Sequence, residues 1–150
     1  MKKIILIICL LVISAIVMFS FKGMPQAKAT DSKPSISSGN QVVAYYFHGT
    51  FRCPTCHKLE QYSKEAIEAN FKNELTSGKI VFKTVNVDEK ANEHFVNDYQ
   101  LYTKSLVISL VRGGKEEKFK NLTKIWEYVG NKQRFYDYVW DEIAAFLKEL

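Results

Sequence analysis

A pair of cysteines directly after a strand-like run is the feature that most constrains how this chain can fold. Residues 42–48 are apolar and aromatic, rich in strand-forming side chains, and end at Gly49, which predicts a buried strand. Pro54 follows Cys53, and proline is favoured at the first position of a helix. Apolar residues then recur at helical spacing until Gly78, which predicts a helix with a glycine C-cap. The sequence Cys-Pro-Thr-Cys therefore lies at a strand-to-helix junction.

The rest of the chain continues this alternation of strands and helices. Residues 79–87 predict a second strand and residues 91–99 a short helix. Residues 106–111 and 116–119 predict a hairpin, because the paired glycines between them tolerate the positive φ of a tight turn. A final helix has one apolar face, made by Phe135, Val139, Ile143, Phe146, Leu147 and Leu150. The order β-α-β-α-β-β-α predicts an α/β, thioredoxin-like fold with a mixed central sheet and helices on both faces.

The first 29 residues are typical of an export signal. Lys2 and Lys3 precede an uncharged apolar run over residues 4–21, and a small-x-small sequence stands at residues 27–29. The run approaches the roughly 18 residues that begin to span a bilayer. Residues 1–29 are therefore either a cleaved signal peptide or a retained membrane anchor. In both cases the remainder is expected to be exported, to the periplasm or to the cell surface.

Composition divides the exported part into a tether and one domain. Residues 30–40 are rich in Ser, Gly and Pro, which predicts a flexible linker, and residues 41–150 have the length of a single domain. The formal net charge is +5, but four lysines precede Asp31, the first acid. The basic balance therefore belongs to targeting, and no nucleic-acid partner is predicted.

The two cysteines of the junction are the candidate reactive groups. A cysteine at a helix N-terminus faces the positive end of the helix dipole, which stabilises a thiolate, and Arg52 adds a neighbouring positive charge. Cys53 is therefore predicted to be the exposed nucleophile. Cys56, one turn further on, is within disulfide reach and is predicted to be the resolving thiol. The intervening residues Pro54 and Thr55 are expected to influence the reduction potential of the pair.

Three segments resemble a known family of exported proteins. The segments "YYFHGTFRCPTC", "NVDE" with Asn92 following, and "HFVNDYQLYTKSLVI" resemble the ArsF-type subunits of nitrophenyl compound nitroreductases. The resemblance implies electron delivery to, or thiol maintenance of, a partner that reduces nitroaromatic compounds. That partner would be a reductase or a membrane electron donor. The chain shows no flavin or nicotinamide fingerprint, so no cofactor is predicted.

Two positions depart from ordinary thioredoxins. Their cis-proline region corresponds to the residues around Ser105, and no proline follows Pro54. We expect a trans peptide there, because a non-proline cis bond costs about 3 kcal/mol, and therefore a different mode of partner recognition. Their buried acid, six residues before the nucleophile, falls on Phe47. His48 or His57 is the hypothesised substitute base.

Other chemistries of the motif stay open at this point. Read one residue further, Cys-Pro-Thr-Cys-His is a c-type haem attachment signal, with His57 as one axial ligand and His48 or His94 as the other. Two thiolates and a histidine also suit Cu(I) or Zn(II), which gives an alternative metal site of Cys53 and Cys56 with His57 or His94. A third alternative is a subunit whose cysteines only dock a partner.

Overall fold

The computed structural model describes residues 39–150 of the chain. The predicted signal or anchor, residues 1–29, and most of the predicted linker, residues 30–40, lie outside the described residues. Across residues 39–150, none of the helices combines the length and apolar character needed to cross a bilayer.

A mixed sheet of four strands forms the centre of the described domain. The strands are β1 (Gln41–His48), β2 (Ile80–Asn86), β3 (Ser105–Arg112) and β4 (Lys115–Asn121), and their order in the sheet is β2-β1-β3-β4. β1 pairs parallel with β2 and antiparallel with β3, and β4 pairs antiparallel with β3. The two central strands, β1 and β3, are buried along almost their whole length. Burial on both faces explains why these strands are nearly continuous apolar runs in the sequence.

Helices follow the strands in the predicted order. The α-helices are α1 (Pro54–Asn70), α2 (Lys72–Ser77), α3 (His94–Asp98), α4 (Ile125–Tyr128) and α5 (Lys132–Leu147), and a 3₁₀ turn spans Lys90–Asn92. The strand order, the parallel β1–β2 pair and the closing hairpin with its C-terminal helix together give the predicted topology. The α/β class and the thioredoxin-like fold are therefore confirmed.

One face of the sheet packs against the two long helices. Alternate residues of β1 point into this core, as the two-residue period of a strand requires. The predicted apolar face of α5 lies against the same core, with its four residues from Phe135 to Phe146 buried. The buried members from β1, α1 and α5 include Val42, Ala44, Tyr46, Leu59, Ile67, Phe135, Val139, Ile143 and Phe146.

The opposite face of the sheet carries a smaller aromatic core beneath α3. Phe47 is 1% exposed, and its ring centroid lies 5.2 Å from that of Phe95 and 5.4 Å from that of Tyr99. The Tyr99 hydroxyl donates to Glu116 of β4 at 2.6 Å. Both faces are therefore covered, and the position that carries an acid in ordinary thioredoxins is part of this aromatic core.

The helix predicted to run from Pro54 to Gly78 is broken once, and the short helix predicted at residues 91–99 is divided. Phe71 has φ −128° and ψ 37° and is 5% exposed, so the chain leaves the helical conformation where this ring turns into the core. Gly78, with φ 75°, ends α2 as predicted. In residues 91–99 the 3₁₀ turn precedes the five residues of α3. The paired Gly113 and Gly114 adopt φ 57° and 80° in a two-residue turn, which confirms the predicted hairpin.

A polar cluster joins α1 to α5 at the surface. Glu65 of α1 accepts hydrogen bonds from the Lys132 ammonium at 2.8 Å, from the Tyr136 hydroxyl, and from the Gln61 amide at 2.7 Å. These donors, Lys132 first, lower the pKa of Glu65 to about 2. The ionised carboxylate is therefore the form that the folded state favours.

Replacing Glu65 with Gln is expected to lower stability at neutral pH and to have little effect at about pH 2. Because the folded-state pKa lies below the ordinary value of 4.5, the contribution of this group is fully present above that value. It is lost as the pH falls towards 2. Urea unfolding midpoints of wild type and variant over this pH range measure the effect.

Glu68→Gln is the matched control for this substitution. Its carboxylate lies on the same helix, is 57% exposed, and reaches only Lys64 at 3.8 Å, an arrangement that contributes little. A Glu65→Gln midpoint that differs from wild type equally at neutral pH and at about pH 2 would contradict the prediction.

Candidate functional site

The cysteine motif begins at the N-terminus of α1, as the sequence predicts. Cys53 is the N-cap residue, with extended φ and ψ of −88° and 165°, and Pro54 is the first helical residue. The Cys53 sulfur accepts the backbone N–H of Cys56 at 3.3 Å. A sulfur in this position accepts one of the backbone N–H groups that have no partner within the helix, and it lies at the positive end of the helix dipole.

The two sulfur atoms are joined in a disulfide. The Cα atoms of Cys53 and Cys56 are 5.1 Å apart, within the usual range for such a bond. Cys56 is only 3% exposed, whereas Cys53 is half-buried and Pro54 and Thr55 are exposed. Cys53 is therefore the more exposed of the two cysteines.

A buried tyrosine of the sheet forms a hydrogen bond with the backbone of the motif. The hydroxyl of Tyr46, in the centre of β1, donates to the backbone carbonyl of Cys56 at 2.7 Å. Tyr46 is fully buried, and burial is the main cause that raises its pKa to about 12. The hydroxyl consequently remains a neutral donor that fixes the first turn of α1 to the sheet.

Arg52, predicted to add positive charge beside Cys53, is paired with an acid that sequence reasoning missed. Its guanidinium forms an ion pair with Glu60 of α1, and the two side chains are 18% and 25% exposed. The other carboxylate oxygen of Glu60 accepts from the Thr84 hydroxyl of β2 at 3.2 Å. The sequence signal for Glu60 was its spacing: it follows Cys56 by one helical turn, and residues four apart share a helix face, which places Glu60 on the side of α1 that carries Cys56.

A second acid missed from the sequence holds the loop between β1 and the motif. Asp88 accepts the backbone N–H of Thr50 at 2.6 Å, and Asn86 donates to the Thr50 hydroxyl at 3.2 Å. The bond from the Thr50 N–H is the main cause that lowers the pKa of Asp88. Asn92 donates to the Asn86 carbonyl at 2.9 Å. The Asn-Val-Asp-Glu segment thus positions the loop that leads to Cys53.

Replacing Gly49 with Ala is expected to lower the melting temperature by roughly 5 °C, because the added methyl group displaces a carboxylate that accepts a backbone hydrogen bond. A Cβ at this position would lie 2.9 Å from the Asp88 carboxylate, so this side chain must shift from the position in which it accepts the Thr50 N–H. Gly130→Ala is the control, since its Cβ would meet no atom within 4 Å. Thermal unfolding of both variants measures the effect, and equal melting temperatures would contradict the role of Asp88 in holding this loop.

The loop before β3 lies where ordinary thioredoxins carry their cis-proline. Among the described residues every peptide bond is trans, in agreement with the expectation for Ser105. Ser105 is buried and donates from its hydroxyl to the Thr103 carbonyl at 2.9 Å. This loop and the end of β1 border an open cavity of about 180 Å³, and Tyr102 at its rim is 94% exposed.

Two of the three histidines, His57 and His94, lie at the surface. His57 is exposed on the first turn of α1, and His94 of α3 is paired with Asp98 at 2.8 Å. Within residues 39–150, no group of three or more His, Cys, Asp or Glu side chains could hold a metal ion. The two cysteine sulfurs are joined to each other, and the metal site of Cys53 and Cys56 with His57 or His94 stays a prediction, as does the haem alternative.

The third histidine has a local role. His48, the last residue of β1, is within hydrogen-bonding distance of the Gly49 carbonyl through Nδ1, at 2.8 Å. A bond to a carbonyl requires that this nitrogen carry the proton. That leaves Nε2 as the nitrogen able to accept a proton in the base role hypothesised for His48, a role that stays a prediction for both His48 and His57.

Comparison with known proteins gives similarity only at the level of structure. No family model and no curated protein sequence matches the chain. The thioredoxin of Fasciola hepatica is 20% identical, with a TM-score of 0.36 over 63% of this chain and 84% of that one. The thioredoxin of Trypanosoma brucei brucei is 17% identical, with a TM-score of 0.40 over 71% and 79%. For a thioredoxin from Thermus thermophilus the values are 18%, 0.36, 60% and 72%. The fold assignment therefore rests on the strand order and connections.

Proposed function

We propose that this chain is an exported thiol–disulfide redox protein that exchanges electrons with a partner protein through Cys53 and Cys56. The observation that carries the proposal is the asymmetry of the pair at the start of α1. The reachable Cys53 sulfur accepts a helix N-terminal N–H, and the Cys56 sulfur is buried. An accessible thiolate backed by a buried second thiol is the arrangement that disulfide exchange requires.

The exchange proceeds in two displacements. The Cys53 thiolate attacks one sulfur of a partner disulfide, so that a mixed disulfide forms and the other partner sulfur leaves as a thiolate. Cys56 loses its proton and attacks the Cys53 sulfur, which releases the second partner thiolate. Two electrons pass from the dithiol of this chain to the partner disulfide, and the partner sulfurs take up two protons. The reverse sequence oxidises a partner dithiol.

The N-terminus of α1 favours both displacements without any further group. The dipole of α1 and the Cys56 N–H stabilise negative charge on the Cys53 sulfur, both before attack and when it leaves again. Tyr46 holds the Cys56 backbone in place. The exposed Pro54-Thr55 tip leaves room for a partner chain to approach the disulfide.

We place this chemistry outside the cytoplasm, with residues 1–29 acting as the export signal or as a membrane tether. The partner is a reductase or a membrane electron donor, and the resemblance to nitroreductase subunits supports a system that reduces nitroaromatic compounds. Labelling of intact cells with a membrane-impermeant thiol reagent, after mild reduction, tests the location. Labelling of Cys53 only after the cells are broken would overturn the proposed export.

Redox titration of the full chain tests the proposed chemistry. We expect a colourless protein that shows one reversible two-electron transition when equilibrated across glutathione redox buffers. Its midpoint gives the direction in which electrons flow relative to the compartment. A visible haem band, or thiols that react only after a chelator is added, would overturn the proposal.

A further inference from the structure

The ion pair between Arg52 and Glu60 links the segments that precede and follow the cysteine motif. Arg52 directly precedes Cys53 in the loop, and Glu60 lies on α1 one turn beyond Cys56. Their contact therefore joins the segment before the motif to the helix after it. Both side chains are largely buried, so water screens their charges less than it screens those of surface pairs.

The sheet residues that contact this ion pair are neutral. From β1, Tyr46 contributes a neutral hydroxyl, and from β2, Thr84 contributes another. His57 of α1 is exposed to solvent. The Nε atom of Arg52 is buried and, among the described residues, has no hydrogen-bond partner. The guanidinium thus keeps an unused donor in addition to its contact with Glu60.

We infer that the Arg52–Glu60 pair sets how strongly the Cys53 thiolate is stabilised, and thereby the reduction potential of the cysteine pair. This inference rests on the proposed thiol–disulfide exchange. In the oxidised protein the positive and negative charges compensate each other. After reduction, the Cys53 thiolate is a second anion beside Arg52, and Glu60 limits how much of the positive charge acts on it. Glu60 therefore restrains the thiolate stabilisation that Arg52 alone would give.

The inference predicts effects of opposite sign for the two partners. Glu60→Gln leaves Arg52 uncompensated, so the Cys53 pKa should fall by about one unit, which is a tenfold change in the thiolate-to-thiol ratio. Stabilising the reduced form makes the pair easier to reduce, and a tenfold change in its equilibrium with glutathione corresponds to about 30 mV. Arg52→Gln leaves Glu60 uncompensated and should raise the pKa and lower the potential. The double variant should return close to wild type.

The experiment uses the full chain in both redox states. The pH dependence of alkylation of the reduced protein gives the Cys53 pKa. Equilibration with reduced and oxidised glutathione gives the potential, where the protein disulfide and two glutathione thiols exchange for the protein dithiol and one glutathione disulfide. Arg52→Lys and Glu60→Asp keep the charges and should stay close to wild type. Glu68→Gln, an exposed change on the same helix, should move neither value.

The outcomes separate this inference from the proposed function. Shifts in the same direction for Arg52→Gln and Glu60→Gln, as a purely structural role would give, overturn the inference, and so do shifts no larger than that of Glu68→Gln. In both cases a reversible transition in wild type leaves the redox function standing. Absence of that transition in wild type overturns the function itself. If Glu60→Gln does not fold, the contrast between Arg52→Gln and Arg52→Lys decides, since only loss of charge should raise the Cys53 pKa.

Discussion

Replacing Cys53 with Ser is expected to reduce disulfide exchange to the uncatalysed rate, whereas replacing Cys56 with Ser should trap partners as mixed disulfides. The half-buried Cys53 sulfur is the one that a partner can reach, and Cys56 is 3% exposed. Without Cys53, the described residues keep only the buried thiol of Cys56, which a partner does not reach. Without Cys56 the first attack still occurs, but no thiol is present to resolve its product.

Two measurements on the full chain check this pair of variants. The rate at which each reduced protein reduces glutathione disulfide reports the first attack, which should persist in Cys56→Ser and disappear in Cys53→Ser. Non-reducing gels of host extracts report trapped partners, which should appear only with Cys56→Ser. Exchange retained in Cys53→Ser would mean that Cys56 is the attacking thiol and that the assigned roles are reversed.

The local features of the fold could be predicted because each is set by neighbours in sequence. A proline next to Cys53 indicated the helix start, and Gly78 indicated the end of α2. The glycine pair at 113 and 114 indicated the hairpin. The break at Phe71 could not be predicted in this way. The helical apolar spacing continues through it, and only the position of the core decides that this ring must turn inward.

The reactive part of the site could be predicted, but its supporting residues could not. Cys53 and Cys56 are adjacent in sequence to the helix start that gives them their chemistry. Glu60 and Asp88 stand among polar residues and read as solvated surface. Their roles depend on contacts with Arg52 and with Thr50, and the Asp88 contact spans 38 positions of sequence. The spacing of Glu60 from Cys56 was the one signal for the first contact, and the more distant Asp88 contact leaves no periodic signal in a single sequence.

The C-terminal helix α5 helps to hold the cysteine motif in its position on the sheet, so a core substitution in α5 is expected to lower stability strongly. Phe135, on the first turn of α5, is fully buried, and its ring lies edge-on to that of Tyr62 of α1 at a centroid distance of 5.6 Å. This contact links the C-terminal helix to the helix that carries the cysteines. Loss of packing at Phe135 therefore weakens the support of α1 as well as the core.

Replacing Phe135 with Ala is expected to lower the free energy of unfolding by about 3–5 kcal/mol, the usual range for removal of a buried aromatic ring. That is a large part of the roughly 5–15 kcal/mol that stabilises a typical domain, so the variant should unfold at much lower urea concentration. Trp140→Ala on the same helix is the control, because Trp140 is 46% exposed and its loss should change stability far less. Urea unfolding of the oxidised proteins provides the comparison. Equal midpoints for the two variants would mean that α5 does not pack against α1 through Phe135, and that other parts of the core hold the cysteine-bearing helix on the sheet.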